Sequence, residues 1–471
     1  MFAKNNNCYK PQSANNIGSC FLSTLCQKSI DMPIQAKQSR LFTLYLQQAN
    51  ILSEVFYRMT KKVILIWFRN DLRIHDNEIL FEAVEKGDIV IPVYFFDPRY
   101  FEINDNGFKN TGILRANFLL ECVTKLKENL QKLGADLLVF IGKPEDIIGT
   151  LCAKYDVTEV YHHREVAHRE TVISEQVEAT LWKAKINLKH FIGHTLYHKE
   201  DLPIPIKDIP DSFSAFKKKV EKESFVRPVL PAITRVTTHP HLEDTPMPDL
   251  VALGFSATEV AQASATSPSF RGGEDDALLA MEMTLAPAYD EPNDYNLIAP
   301  YIAHGAVSPA FYYHRIQAAR TGANKKKYEK LILRLLWRDY FRFMLKKYPN
   351  IFFKNHQSHL RADESAKKLQ LLLQRGSDDS MIDGLLHQVV HAGNLPYEHR
   401  EVLAAYLLQE LRINHLVGAC FFEEYLLDYA PATTYGHWLQ LAGLGTSSKD
   451  NLQISWQELA KKQYRSLAVA K

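Results

Sequence analysis

The sequence predicts a doubly wound α/β layer followed by an all-α domain. Three observations carry that expectation. Buried-strand runs alternate with helical segments as far as about residue 200, prolines crowd the stretch that follows, and almost everything beyond Phe270 has helical periodicity. With 471 residues and 46% hydrophobic content, the chain can bury more than one core.

Val63 to Phe68 is an unbroken apolar run between Lys62 and Arg69, the pattern of a strand covered on both faces. A helix follows, capped by Asp76 or Asn77, with Ile79, Leu80, Phe81 and Val84 as its apolar side and Gly87 at its end. Ile89 to Phe96 is a second buried strand, closed by Asp97 and Pro98. Phe118 to Leu133 is helical, and Asp136 to Ile141 and Val157 to Tyr161 are a third and a fourth strand. Such alternation makes a parallel, Rossmann-like sheet. Its ligands gather beyond the carboxyl ends of the strands, where Arg69, Asn70, Asp71 and Asp97 stand. Neither GxGxxG nor GxxxxGK[ST] occurs in those turns, which disfavours a dehydrogenase or a P-loop enzyme.

The α/β domain is set at 60–200. Eight prolines between Pro203 and Pro248 forbid long helices in 201–267, an interdomain connector. The helical domain, 268–466, has helices at Asp275 to Leu285, Lys327 to Tyr348, Met381 to Ala392, Glu401 to Leu411 and Phe421 to Tyr429. Residues 1–58 are rich in Asn, Gln and Ser and nearly free of acids. They read either as an organelle transit peptide or as sequence upstream of a start at Met59, so the compartment is cytoplasmic or, with a transit peptide, organellar. No stretch approaches the roughly 20 apolar residues that cross a bilayer, and no membrane partner is expected. The formal net charge is +2, so any nucleic-acid site must be a local patch. Six scattered cysteines form no CxxC and no disulfide framework, as in a reducing compartment.

Three passages resemble the photolyase/cryptochrome family. Trp67-Phe68-Arg69-Asn70-Asp71-Leu72-Arg73 with Asp76-Asn77 looks like the opening of its antenna domain. Phe270-Arg271-Gly272-Gly273-Glu274 and Leu336-Trp337-Arg338-Asp339-Tyr340-Phe341-Arg342-Phe343 resemble the start and centre of its flavin domain. Tyr425 to Tyr429, Tyr435 to Trp438 and Ala442-Gly443 resemble the carboxyl-terminal flavin segment. His194-Thr195-Leu196, Asp201-Leu202-Pro203, Phe213 to Glu221 and Val226-Arg227-Pro228 resemble the DASH cryptochromes in particular, of which this chain looks like a diverged member. The resemblance implies FAD, a folate (methenyltetrahydrofolate) antenna and DNA, single-stranded above all, as partner. It also implies a monomer and a light-driven carbon–carbon lyase that repairs cyclobutane pyrimidine dimers, or a blue-light receptor.

By the same resemblance, Arg400 and Asp428 form an ion pair beside the isoalloxazine, and Trp438 is the tryptophan nearest the flavin. Trp337 is a stacking face for a flipped base, Tyr289 and Asn296 belong to the FAD-holding segment, and Glu165 contacts the folate. The departures are many. Thr434 replaces an Asn facing the flavin, Ala430 replaces an Asp, and Arg334 replaces the acid that accepts hydrogen bonds from the dimer. Tyr397-Glu398 stands where Asn-Arg is usual, and His415 takes the middle place of the tryptophan relay. Repair is therefore expected to be impaired. The alternative is a non-enzymatic relative that binds nucleic acid or protein with little or no flavin.

From spacing alone, Arg334, Arg338 and Arg342 form an i, i+4, i+8 stripe. It faces either phosphates, Arg338 those of FAD and Arg334 and Arg342 those of DNA, or acids of the protein itself. His190, His194 and His198 would align as metal ligands on a helix, but Ile192, Gly193 and Thr195 argue against one, and no metal is expected.

Overall fold

The five strands β1 (Val63–Phe68), β2 (Ile89–Phe96), β3 (Leu138–Ile141), β4 (Glu159–His163) and β5 (Asn187–Phe191) are all parallel, in the order β3-β2-β1-β4-β5. The computed structural model describes residues 61–264, 270–286, 294–357, 359–451 and 454–469; the extension 1–58 and Tyr289 lie outside the described residues. Every residue of β1 and β2 is buried, which is why both read as unbroken apolar runs. Helices α1 (Glu78–Lys86), α2 (Ile113–Lys132), α3 (Pro144–Lys154) and α4 (His168–Lys183) complete the layer, and Asn77 caps α1 by accepting from Leu80 N.

One face of the sheet, with Leu65, Trp67, Ile91 and Val93, packs on Ile148 and Leu151 of α3 and Val177 and Leu181 of α4. The other face, with Ile64, Ile66, Phe68 and Phe96, joins a core that runs on through Phe118 and Tyr301 to Trp438. Two histidines extend β4 beyond the expected Tyr161. His162 stacks on Trp67 at 5.0 Å, and His163 Nδ1 lies 3.0 Å from Asp71 Oδ2. The edge strand β5 has no apolar run to betray it, since its sequence is Asn-Leu-Lys-His-Phe.

The helices α5 (Phe213–Glu223), α6 (Ala257–Ser264), α7 (Glu274–Leu285), α8 (Asp294–Ala303), α9 (Pro309–Ala319) and α10 (Lys325–Lys347) come first. Next are α11 (Ala362–Arg375), α12 (Ser380–Ala392), α13 (Tyr397–Gln409), α14 (His415–Tyr425), α15 (Pro431–Leu441) and α16 (Trp456–Val469). The connector is less irregular than its prolines suggest: α5 fits between Pro210 and Pro228 and buries Phe213, Phe216 and Val220. The helix expected at Phe421 to Tyr429 lies earlier in the chain, because Asn414 caps it by accepting from Leu416 N and Leu426 is already extended.

Polar clamps fasten the sheet layer to the helices. Glu274 accepts from Ile74 N and His75 N, each at 2.9 Å, and Asp339 accepts from Leu196 N and Tyr197 N at 3.0 and 2.9 Å. Gly305, at φ +70, lets the two layers touch, for a Cβ there would stand 1.9 Å from Asn70 O.

Candidate functional site

Arg400 on α13 and Asp428, just before α15, meet with Nη1 3.0 Å from Oδ2, both nearly buried. Arg400 Nε also donates to Leu395 O. The other halves of the pair, Arg400 Nη2 and Asp428 Oδ1, are buried with no hydrogen-bond partner among the described residues. Leu427 N donates to Gly393 O at 2.8 Å, tying the segment before α13 to the one before α15. Asn394 Oδ1, Thr433 Oγ1, His437 Nε2 and Asn296 Nδ2 are likewise buried and unbonded among the described residues. Each such group costs about 1–3 kcal/mol unless something satisfies it, so each is a polar atom open to a ligand. Tyr295, whose phenol burial pushes up to about 12, lies within electrostatic reach of Asp428, Arg338 and Arg334 and ties the start of α8 to the same region.

Trp438 is fully buried, edge-on to Phe422 at 5.1 Å. Its indole lies so close to α14 that a Cβ on Gly418 would stand 2.3 Å from Cζ3, so only glycine fits there. His415 begins α14 with Nδ1 2.9 Å from Gln357 Oε1, and burial pushes its pKa down to about 4, leaving a neutral ring.

Arg334 and Trp337 are both engaged by protein groups. Arg334 donates to Glu398 Oε1 at 2.6 Å and lies 3.7 Å above the ring of Tyr397, which in turn stacks on His437 at 4.7 Å. Trp337, expected to offer a free face, has Phe213 on one ring face and Phe341 at 5.5 Å. α5 thus supplies a stacking partner for the indole.

The arginine stripe meets groups of the protein itself, one of the two alternatives its spacing leaves open. Arg338 donates to the carbonyls of His194 and Ile302, and Arg342 donates to Glu165 Oε2 at 2.9 Å; both are 8% exposed. With α10 packed under the sheet layer, guanidiniums left unpaired there would carry a heavy desolvation cost, so they bind protein groups rather than phosphates. Arg334 is spent on Glu398.

Beyond the strand ends a cleft is lined by Trp67, Arg69, Tyr94, Asp97, Tyr100 and Glu170, among others. Glu165 is not on that wall. Its oxygens accept from Asn70 Nδ2 at 3.0 Å and from Arg342, and His194 Nε2 lies 3.2 Å from Oε1 without a hydrogen bond to it. Burial opposes its charge, yet His194 and Arg342 hold its pKa well below the usual carboxylate range. Two acids face the cleft, Asp97 and Glu170, the latter raised by burial and by Glu165.

Sequence reasoning missed Asn394, Thr433 and Glu170. Thr434, its expected flavin contact, is half-buried; its neighbour Thr433 carries the unsatisfied hydroxyl. No periodic signal marks these positions, since each is set by contact between distant segments.

The sheet layer and the helical layer each match a known family: residues 64–235 match DNA photolyase, and residues 331–464 match the FAD binding domain of DNA photolyase. The fold is that of a light-dependent flavoprotein. Cryptochrome DASH of Gloeobacter violaceus is 33% identical over 410 residues, covering 83% of this chain and 81% of that one. Cryptochrome DASH, chloroplastic/mitochondrial, of Arabidopsis thaliana is 31% identical over 421 residues, covering 84% and 73%. The crystal structure of the Synechocystis cryptochrome superposes with a TM-score of 0.77 at 30% identity, covering 85% of this chain and 86% of that chain. The chain belongs to the photolyase/cryptochrome family, and DASH cryptochromes are its relatives.

Proposed function

We propose that this protein is a DASH-type flavoprotein that keeps light chemistry at FAD and has weakened repair of cyclobutane pyrimidine dimers. The Arg400–Asp428 pair, with one unspent nitrogen and one unspent oxygen, carries the reading. Those atoms, with Asn394 Oδ1, Thr433 Oγ1 and His437 Nε2, supply the mixed donors and acceptors that a flavin ring requires, and Asn296 Nδ2 with the start of α8 suits a diphosphate. The residues fit FAD. When bound, FAD absorbs blue light and exchanges single electrons. Around it Arg400 offsets negative charge on the ring, Asp428 orients Arg400, and the Trp438 indole, walled by Phe422, excludes water and stands ready as electron donor.

On the DNA side, Arg334 can only donate where a pyrimidine dimer needs an acceptor, and its guanidinium is already paired with Glu398. Phe213 fills the face of Trp337 on which a flipped base would stack. In this reading single-stranded DNA remains the partner of a monomer, and the cleft at the strand ends takes a folate antenna beside Glu170. Residues 60–200 act as antenna domain, 201–267 as connector and 268–466 as flavin domain. The location is cytoplasmic, or organellar by analogy with the relative called chloroplastic/mitochondrial. The closed face of Trp337 also supports a second reading, a relative that binds nucleic acid or protein and has lost repair outright.

Reconstitution with FAD tests the proposal. A structured blue absorption band and slow conversion of dimers in single-stranded oligonucleotides under blue light are expected. A colourless protein that ignores added FAD overturns the first half, and repair that the exchange of Arg334 with Glu398 does not speed up overturns the second.

A further inference from the structure

A flavin that takes an electron from Trp438 leaves that indole to be refilled, and the route by tryptophans is cut. The chain has five tryptophans. Trp67 stacks within the sheet layer, Trp182 is 79% exposed on α4, Trp337 lies under Phe213, and Trp456 donates to Glu410 on the outer side of the helices. Among the described residues no ring contact joins any of them to Trp438, and none joins Tyr435 to it either. His415 is a neutral imidazole, far harder to oxidise than an indole or a phenol.

One turn from Trp438 on the same helix stands Tyr435. At i and i+3, two side chains of a helix are neighbours, their Cβ atoms about 5–6 Å apart. Both rings pack on α14, Trp438 at Gly418 and Phe422 and Tyr435 at Cys420 and Glu423. The Tyr435 hydroxyl donates to Glu423 Oε2 at 2.6 Å, and the second oxygen of Glu423 lies 3.6 Å from the Arg169 guanidinium. Burial, together with the charge of Glu423, raises the phenol well above its ordinary pKa. It therefore stays protonated in the dark, and it can be oxidised only if its proton leaves with the electron. The acceptor for that proton is already hydrogen-bonded to it. The same tyrosine lines a cleft with His168, Arg169, Asn350, Phe353 and Lys354. Tyr397 is the poorer donor, because the Arg334 guanidinium over its ring at 3.7 Å opposes loss of an electron.

We propose that Tyr435, with Glu423 as its proton acceptor, is the electron donor that refills Trp438 during flavin photoreduction. The inference rests on the FAD reading given above. One electron leaves Trp438 for the light-excited flavin, and one electron then passes from Tyr435 to Trp438. In the same event the phenolic proton moves to Glu423 Oε2, leaving a neutral tyrosyl radical. A soluble thiol in the cleft returns a hydrogen atom to the Tyr435 oxygen and becomes a thiyl radical, and Glu423 releases its proton to water. The sum is one electron to the flavin, one proton to solvent and one thiol oxidised by one electron.

The test is electron paramagnetic resonance on the FAD-loaded protein, illuminated without reductant, with ring-deuterated tyrosine to identify the signal. Photoreduction with dithiothreitol is followed in parallel. A tyrosyl signal is expected in the native chain. Tyr435→Phe, which keeps the ring, should abolish that signal and slow photoreduction at least tenfold; Glu423→Gln should leave FAD bound, weaken the signal and slow photoreduction similarly. A tyrosyl signal that persists in Tyr435→Phe, or an unchanged rate in Glu423→Gln, overturns the proposal. Should the chain hold no FAD, the FAD reading fails on its own. The tyrosine is then tested separately by a flash-generated ruthenium(III) polypyridyl oxidant, with the same signal expected and the same loss in Tyr435→Phe; its absence from the native chain overturns the assignment.

Discussion

Phe213 lies flat on Trp337, with ring centroids 3.6 Å apart and planes 7° apart. The covering ring comes from α5, in the proline-rich segment, and the covered one from α10, so a helix outside the matched FAD-binding region covers this face of the indole.

Replacing Phe213 with Ala uncovers that indole. Phe213 is buried, so the change should destabilise the protein by about 3–5 kcal/mol. Binding of dimer-containing single-stranded oligonucleotides, read by fluorescence anisotropy, should tighten. A drop in the urea midpoint with no gain in affinity would show that Phe213 does not limit access to Trp337.

Arg334 and Glu398 must be changed together. Arg334→Glu by itself sets two carboxylates side by side at the position of the present ion pair, and little gain in repair is expected. The exchange Arg334→Glu with Glu398→Arg keeps a pair and restores an acceptor toward the dimer. Dimer conversion under blue light should rise in the double variant above both single ones.

Asp428→Ala strips Arg400 of its partner in a buried setting. Loss of one member of such a pair costs about 3 kcal/mol or more, roughly a hundred-fold in FAD affinity if the cost falls on binding. Equilibrium dialysis with FAD, beside a thermal unfolding scan without it, measures how the cost divides.

Acid should destabilise the fold earlier than carboxylate titration would. His304 and His415 are pushed down to about 4, chiefly by burial, whereas a free imidazole titrates near 6.5. Between those values the unfolded chain takes up protons that the folded chain refuses. The contribution is complete above about pH 6.5 and is lost as pH falls through about 4, at about 1.4 kcal/mol per unit for each histidine. Urea unfolding at pH 7 and pH 5 should show the loss, and His415→Gln should remove the part due to His415, with His304 and the buried His162 and His194 still contributing.

What the sequence made legible follows from local physics. Strands β1 and β2 are covered on both faces, so their letters had to be apolar throughout, and the Asn77 cap sits where capping chemistry puts it. β5 was illegible because an edge strand needs no apolar run, and the last two residues of β4, His162 and His163, carry no apolar signal because their partners, Trp67 and Asp71, are far away in the chain. The same holds at the site. The spacing of Arg334, Arg338 and Arg342 was plain, but whether the stripe meets phosphates or the carbonyls of His194 and Ile302 depends on what α10 packs against. The meeting of Arg400 with Asp428 was expected from resemblance, and nothing in the composition of α13 announces it.

The position of α5 limits how this chain can be dissected. A fragment beginning at the family's flavin-binding region would carry α10 without its cover, exposing an indole and the apolar surface under Phe216 and Val220, and it should self-associate. Grafting or truncation designs therefore have to cut upstream of Pro210, treating the strap and the helical bundle as a single inheritable part.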